Sequence, residues 1–208
     1  WRCNMNDIEN VARILKDDFP KYSKNILKVV TKEGQIQPFD LNPGQLAIHK
    51  QLEDQLKKTG RIRALVLKAR QVGISTYVEG RFFWRITQTK NANAFVLSHL
   101  AESTNSIFNM VRHFYENVPH PAFKPPLASQ SAQTLVFDGL NSRYRVGTAR
   151  STQTGRGQTN RFVHGSEVAF YPAGSDIVAG LLQTVGNVGS EVILESTANG
   201  AGGWFYDQ

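Results

Sequence analysis

Residues 65–76, with the sequence LVLKARQVGIST, limit the possible fold of this chain more than any other segment. They form an apolar run, then a short basic loop with one glycine, then residues suited to the first turn of a helix. A strand that passes through such a loop into a helix is the layout of a phosphate-binding P-loop, G-x-x-x-x-G-K-[ST]. We therefore expect an α/β fold with a phosphate-bearing ligand at this loop.

The match departs from the P-loop pattern at two positions. Lys68 stands where the first glycine is expected and Ile74 where the lysine is expected, whereas Gly73 and Ser75 agree with the pattern. A helix N-terminus binds phosphate through its unpaired N–H groups and its dipole. Lys68 or Arg70 would supply the charge of the missing lysine, and Ser75 would supply a hydroxyl for Mg²⁺. The alternative is a basic strand-to-helix turn that binds no ligand.

The rest of the chain supports a sheet with helices on its faces. From residue 61 onward, apolar strand-like segments alternate with helical segments, which predicts a mostly parallel sheet flanked by helices. Ligands bind to such sheets at the carboxyl ends of the strands. Three predicted strand ends carry polar residues, at 68–75, 164–167 and 195–200.

Local signals predict several individual elements. Asn42 and Pro43 suit the N-cap and first position of a helix that runs to Thr59 and ends at Gly60. Residues 61–67 are predicted to be a buried strand.

Charge and composition narrow the class of partner. Lys and Arg number 24 against 17 Asp and Glu, which gives a net charge of +7 and a pI near 9.6. This balance favours a polyanionic partner, either nucleic acid or nucleotide. The single cysteine, Cys3, excludes an internal disulfide and any multi-cysteine metal site, and it fits a reducing compartment. No apolar run approaches the roughly 18 residues of a membrane span.

Two further segments resemble the motifs that accompany a P-loop. The apolar run before Glu167 suits a strand whose terminal glutamate polarises the attacking water, with Ser166 in the place of an aspartate that orders Mg²⁺. Ser196 and Thr197 follow another apolar run and would sense the γ-phosphate through their hydroxyls. The alternatives are a solvent-facing glutamate and an ordinary polar turn.

Two more side chains are candidates for nucleotide contacts. Arg156 lies between two glycines, so it could stabilise charge across a subunit interface, or it could be an ordinary surface arginine. Gln45 lies near the start of a predicted helix and could contact the adenine edge.

In their order along the chain, LNPGQ, LKARQVGIST, RFVHGSEVAF and ILESTANG resemble motifs of the ATPase domain of the large terminase subunit, the DNA-packaging motor of tailed phages. The similarity covers about residues 41–200. It implies that Gln45 binds adenine, that Lys68 is the P-loop lysine moved to the head of the loop, that Glu167 is catalytic, and that Ser196 and Thr197 couple hydrolysis to motion. The implied nucleotide-binding residues are Gln45, Lys68, Ala69, Arg70, Gln71, Val72, Gly73, Ile74, Ser75 and Thr76.

The resemblance also implies a RecA-like additional-strand (ASCE) P-loop fold and ATP hydrolysis with Mg²⁺, coupled to the movement of double-stranded DNA into a procapsid. Ser75 and Ser166 would be the metal-site residues. In a homo-oligomeric ring, Arg70 would touch the γ-phosphate in cis and Arg156 would act in trans. The implied partners are double-stranded DNA, the portal protein and the small terminase subunit, in the host cytoplasm and without a membrane.

We expect residues 1–40 to be an appendage and 41–208 to be the ATPase domain, with the family's nuclease domain outside this chain. Two alternatives stay open. One is a DNA-binding scaffold with a degenerate P-loop that hydrolyses nothing. The other is a helicase-like ATPase, although such enzymes usually have two RecA-like lobes and this chain has room for one.

Overall fold

The computed structural model describes residues 5–150 and 158–208. The α-helices lie at Met5–Asp17 (α1), Phe19–Ile26 (α2), Pro43–Thr59 (α3), Ile74–Ile86 (α4), Ala101–Glu116 (α5) and Gly174–Gln183 (α6). The strands lie at Lys28–Val30 (β1), Ile36–Pro38 (β2), Ile62–Leu67 (β3), Asn93–Ser98 (β4), Leu127–Gln130 (β5), Thr134–Phe137 (β6), Ser142–Thr148 (β7), Phe162–Ser166 (β8) and Glu191–Ser196 (β9). None of the described helices is long and apolar enough to cross a membrane.

One sheet of seven strands organises the molecule, in the order β3-β9-β8-β4-β7-β6-β5. The first five strands run parallel, and β6 runs antiparallel to both of its neighbours. β9 lies between the P-loop strand β3 and the strand β8, so it occupies the position of the additional strand. The carboxyl ends of β3, β9 and β8 therefore meet at one edge, as the sequence predicts.

Helices cover both faces of this sheet. On one face α4 packs through large buried side chains, among them Tyr77, Phe82 and Phe83. On the other face the buried side chains of α6, such as Ile177 and Leu181, pack with residues of β4, β8 and β9. This arrangement fixes the strand ends from both sides and confirms the predicted α/β fold.

Apolar residues between positions 15 and 39 belong to the same buried core as the large side chains of α4. Phe19 and Tyr22 of α2 are buried, and the Phe19 ring centroid lies 5.4 Å from that of Trp84. The indole N–H of Trp84 also donates a 2.9 Å hydrogen bond to the carbonyl of Leu15. The division of the chain at residue 41 stays a prediction.

Local signals predicted one element correctly and another incorrectly. The bounds of α3 are confirmed: Asn42 and Gln45 form a capping box, and Gly60 ends the helix at a φ of 71°. The prediction that β3 is buried is wrong, because β3 forms the outer edge of the sheet. Its residues Leu65 and Leu67 are 41% and 69% exposed.

A buried network of ion pairs connects α4 to the N-terminal end of β9. Arg81 donates to Glu191 at 2.6 Å, and Arg85 donates to the same carboxylate at 2.9 Å. Glu53 of α3 lies 2.7 Å from Arg81. Since α4 and β9 both reach the P-loop at their other ends, this network helps to fix the geometry there.

Candidate active site

The loop between β3 and α4 ends at Gly73, the residue before the first turn of the helix. Gly73 has a φ of 77°, a left-handed conformation that favours glycine. A Cβ at this position would lie 2.7 Å from Nε2 of Gln45, so a side chain here would displace the Gln45 amide. No side chain caps α4 within the described structure, which leaves its first N–H groups for a ligand.

The N-terminus of α3 holds this loop in place. Nε2 of Gln45 donates a 2.7 Å hydrogen bond to the carbonyl of Gly73, and its Oε1 accepts a 2.9 Å bond from the N–H of Asn42. Nδ2 of Asn42 donates to the carbonyl of Val72 at 3.3 Å. Both ends of the buried Gln45 amide are therefore engaged in positioning the loop, and its adenine contact stays a prediction.

Lys68 lies at the centre of a polar cluster at the strand ends. Its Nζ is 3.0 Å from Oε1 of Glu167 and 3.0 Å from Oε2 of Glu195. The hydroxyl of Ser75 donates a 2.8 Å hydrogen bond to Oε1 of Glu195. The structure thus brings together three predicted residues, Lys68, Ser75 and Glu167, and adds Glu195, which the sequence analysis missed.

The ion pairs and hydrogen bonds of this cluster determine the protonation states of Lys68 and Glu167. Burial alone would lower the pKa of Lys68, but Glu195 and Glu167 outweigh that effect and raise it. Burial would raise the pKa of Glu167, but the hydrogen bond from Lys68 and those from Thr197 lower it. The lysine is therefore an ammonium and the glutamate a carboxylate at neutral pH.

The carboxylate of Glu167 is held by the segment that follows β9. Its Oε2 accepts hydrogen bonds from the Thr197 N–H at 3.2 Å, the Thr197 hydroxyl at 3.0 Å and the Ser196 hydroxyl at 3.3 Å. Glu167 has a φ of 57°, which is costly for a residue other than glycine and is common at functional sites. This strained turn directs the carboxylate toward Lys68 at the carboxyl edge of the sheet.

A buried relay of titratable groups lies beneath the cluster. Nδ1 of His164 is 2.6 Å from Glu79, and its Nε2 is 3.4 Å from Oε1 of Glu195. The hydroxyl of Tyr144 donates to the other oxygen of Glu79. Burial alone would lower the pKa of His164, but Glu79 and Glu195 raise it to about 9. The resulting imidazolium supports a negative charge on Glu195.

The two residues predicted to bind the metal, Ser75 and Ser166, lie in different surroundings. Ser75 belongs to the cluster, whereas Ser166 is buried on β8, where it pairs in register with Glu195 of β9. Among the described residues no group of three or more His, Cys, Asp or Glu side chains suits a metal ion. Mg²⁺, however, usually takes only one or two carboxylates together with substrate phosphates and water. The oxygens of Ser75, Glu167 and Glu195 are donors of the kind it prefers.

The other predicted residues surround this centre. Arg70 is exposed in the loop and has no ion pair within the described part of the chain. Arg156 lies outside the described residues. A cavity of about 760 Å³ adjoins the loop, and its lining includes Gln45, Gln71, Gly73 and Thr76. It offers room beside the loop for a nucleotide.

The fold is similar to those of large terminases from three phages. The large terminase of bacteriophage HK97 gives a TM-score of 0.68 at 15% identity, over 87% of this chain and 37% of its own length. The large terminase ATPase domain of Thermus phage P74-26 gives 0.58 at 19% identity, over 81% of this chain and 69% of its own. This chain has the large-terminase ATPase fold. A third large terminase, from a thermophilic bacteriophage and in complex with ADP, gives 0.62 at 12% identity, over 81% of this chain and 41% of its own.

These similarities confirm the predicted RecA-like P-loop fold. The chain spans well under half the length of the HK97 protein and of the third terminase, at 37% and 41%. No family model matches the sequence. No curated protein matches it either.

Proposed function

We propose that this chain is the ATPase domain of a phage large terminase, which uses Mg²⁺ and ATP to move double-stranded DNA into a procapsid. One observation carries the proposal. On a large-terminase ATPase fold, the P-loop residues Lys68 and Ser75 meet Glu167, the glutamate at the end of β8, within one hydrogen-bonded cluster. The third terminase, from the thermophilic bacteriophage, was solved with ADP and with ATP-γ-S, which supports a nucleotide as the ligand.

Phosphate binding would use the loop and the start of α4. The free N–H groups there and the helix dipole would hold the phosphate oxygens. Lys68 and Arg70 would add positive charge, Lys68 by exchanging a carboxylate partner for a phosphate oxygen. Gln45 would hold the loop in its conformation through its hydrogen bond to the Gly73 carbonyl.

Hydrolysis would depend on Glu167. Its pKa is lowered, so its carboxylate is ionised at neutral pH and able to orient a water molecule by accepting its hydrogen bond. Ser75 would hold Mg²⁺, which neutralises phosphate charge when bound. Positioning and charge neutralisation are the main requirements of phosphoryl transfer.

Coupling to DNA movement would begin at Ser196 and Thr197. They donate three hydrogen bonds to the Glu167 carboxylate. A change in the contacts of that carboxylate would therefore move the segment after β9. Asn199 in that segment donates to the carbonyl of Ala169 at 3.0 Å, beyond β8. The net charge of +7 suits contact with the DNA backbone. The ring, the trans role of Arg156, the portal and small-subunit partners and the host cytoplasm belong to the same proposal through the terminase resemblance.

Hydrolysis of Mg·ATP against protein concentration tests the proposal, alone and with double- or single-stranded DNA. Nucleotide binding is measured in parallel. We expect nucleotide binding, turnover that rises more than linearly with protein concentration, and stimulation by double-stranded DNA. Absence of both binding and turnover would support the scaffold, and stimulation by single strands alone would support a helicase-like enzyme.

A further inference from the structure

Glu195 is a buried carboxylate in direct contact with the P-loop. Its side chain is 0% exposed. Its Oε1 accepts the hydrogen bond from Ser75, and its Oε2 lies 3.0 Å from the Lys68 ammonium. Within the described structure, Oε2 receives no well-aligned hydrogen bond. One oxygen of this carboxylate therefore bonds the serine that would bind Mg²⁺, and the other, which has spare acceptor capacity, lies beside the lysine that would bind phosphate.

The strand register explains why this carboxylate comes from β9. In P-loop enzymes Mg²⁺ is held by the P-loop Ser or Thr and by an aspartate at the end of the second motif's strand. That position on β8 is Ser166 here, which has no charge. Ser166 pairs in register with Glu195, which in turn pairs with Val66 of β3. The acidic group thus occupies the same level of the sheet, one strand closer to the P-loop.

Positively charged and polar groups surround the carboxylate of Glu195. Taking a carboxylate out of water is costly unless nearby charges and hydrogen bonds compensate. The Lys68 ammonium lies 3.0 Å from Oε2, Nε2 of His164 lies 3.4 Å from Oε1, and the Ser75 hydroxyl donates to Oε1. A carboxylate oxygen beside the Ser75 hydroxyl has the chemistry that a divalent cation requires.

We infer that Glu195 is the metal-positioning carboxylate of this site and replaces, from the neighbouring strand, the acidic residue that is absent at Ser166. The inference rests on the proposed function. In the described structure, Lys68 is the counter-ion of Glu195 and Glu167 together.

The test is the Mg²⁺ dependence of nucleotide affinity, measured by titration with a fluorescent ATP analogue in Mg²⁺ and in EDTA. We expect Mg²⁺ to raise the affinity of the wild type, and Glu195→Gln to lose at least about tenfold of that enhancement. Glu116→Gln is the control, because it makes the same change at an exposed pair with Arg112 and touches neither Ser75, Lys68 nor His164 in the described structure. It should keep the enhancement. Ser166→Asp added to Glu195→Gln should restore part of it.

Other results of these titrations would overturn the role of Glu195. Full Mg²⁺ enhancement in Glu195→Gln, or wild-type binding that ignores Mg²⁺, overturns the role of Glu195 and leaves nucleotide binding intact. A wild type that binds no nucleotide overturns the proposed function and this inference together. Circular dichroism checks folding. If Glu195→Gln does not fold, Glu195→Asp takes its place: it keeps the charge but withdraws it by one methylene, and an undiminished enhancement there overturns the inference.

Discussion

Replacement of Lys68 by methionine removes the shared counter-ion of two carboxylates and keeps a side chain of similar length. Lys68 is 10% exposed, and its partners Glu195 and Glu167 are 0% and 20% exposed. Removal of one partner from a buried ion pair costs about 3–5 kcal/mol, because the other charge stays buried without compensation. The partial exposure of Glu167 and the nearby His164 place Lys68→Met near the lower limit, at about 3 kcal/mol.

The matched control is Lys24→Met. Lys24 forms an ion pair of similar length, 2.7 Å to Asp40, but both side chains are exposed, at 60% and 66%. Such surface pairs contribute about 0–1 kcal/mol. For a chain of this size, about 3 kcal/mol corresponds to a fall of about 6–12 °C in Tm.

Thermal and urea unfolding, followed by circular dichroism, measure the two variants side by side. The same samples are then titrated with a fluorescent ATP analogue. We expect Lys68→Met to lose both stability and nucleotide affinity, and Lys24→Met to lose neither. A difference of less than about 1 kcal/mol between the two variants would contradict this expectation, since a buried pair should contribute more than a surface pair by a larger margin.

The remaining predictions concern pH and the loop glycine. The pKa of His164 is raised from 6.5 to about 9, so its contribution to the free energy of unfolding is complete below pH 6.5 and is lost as pH rises toward 9. The pKa of His49 is lowered to about 4, mainly by burial, so its contribution is complete above pH 6.5 and is lost as pH falls toward 4. Urea unfolding across this range should show a maximum near pH 6.5, and a flat profile contradicts it. Gly73→Ala should cost about 1–2 kcal/mol through its left-handed backbone, whereas Gly186→Ala, which has open space around it, should stay within about 0.5 kcal/mol; equal Tm values contradict this.

Local signals predicted the framework of the site well. The α3 bounds follow from Asn42, Pro43 and Gly60, whose effects act within a few residues of the chain. Lys68, Ser75 and Glu167 could be named because each lies at a predicted strand end or helix start. Their distances could not be predicted, since strand order and register bring Glu167 to Lys68 across 99 positions of sequence.

Long-range packing accounts for what the sequence analysis missed. Glu195 ends an apolar run, and only its neighbours Ser196 and Thr197 were considered, although a charge inside such a run is itself a signal of a buried partner. The apolar run that became β3 is equally compatible with a central or an edge strand, and only the strand order decides that Leu67 is exposed.

The helix α6 has a weak local signal. It follows Pro172 and contains two glycines, Gly174 and Gly180, and glycine disfavours a helix.

Glu167→Gln tests whether Glu167 is the hydrolytic glutamate of a P-loop ATPase, as proposed. The measurement is single-turnover hydrolysis of Mg·ATP, with nucleotide affinity determined on the same samples. We expect turnover to fall by about 10²–10⁴-fold, because the group that orients water is lost. We expect affinity to be kept, because Lys68 is released from one of its carboxylates. Glu116→Gln, at an exposed surface pair with Arg112, is the control and should leave both unchanged. Undiminished turnover in Glu167→Gln would contradict this role of Glu167.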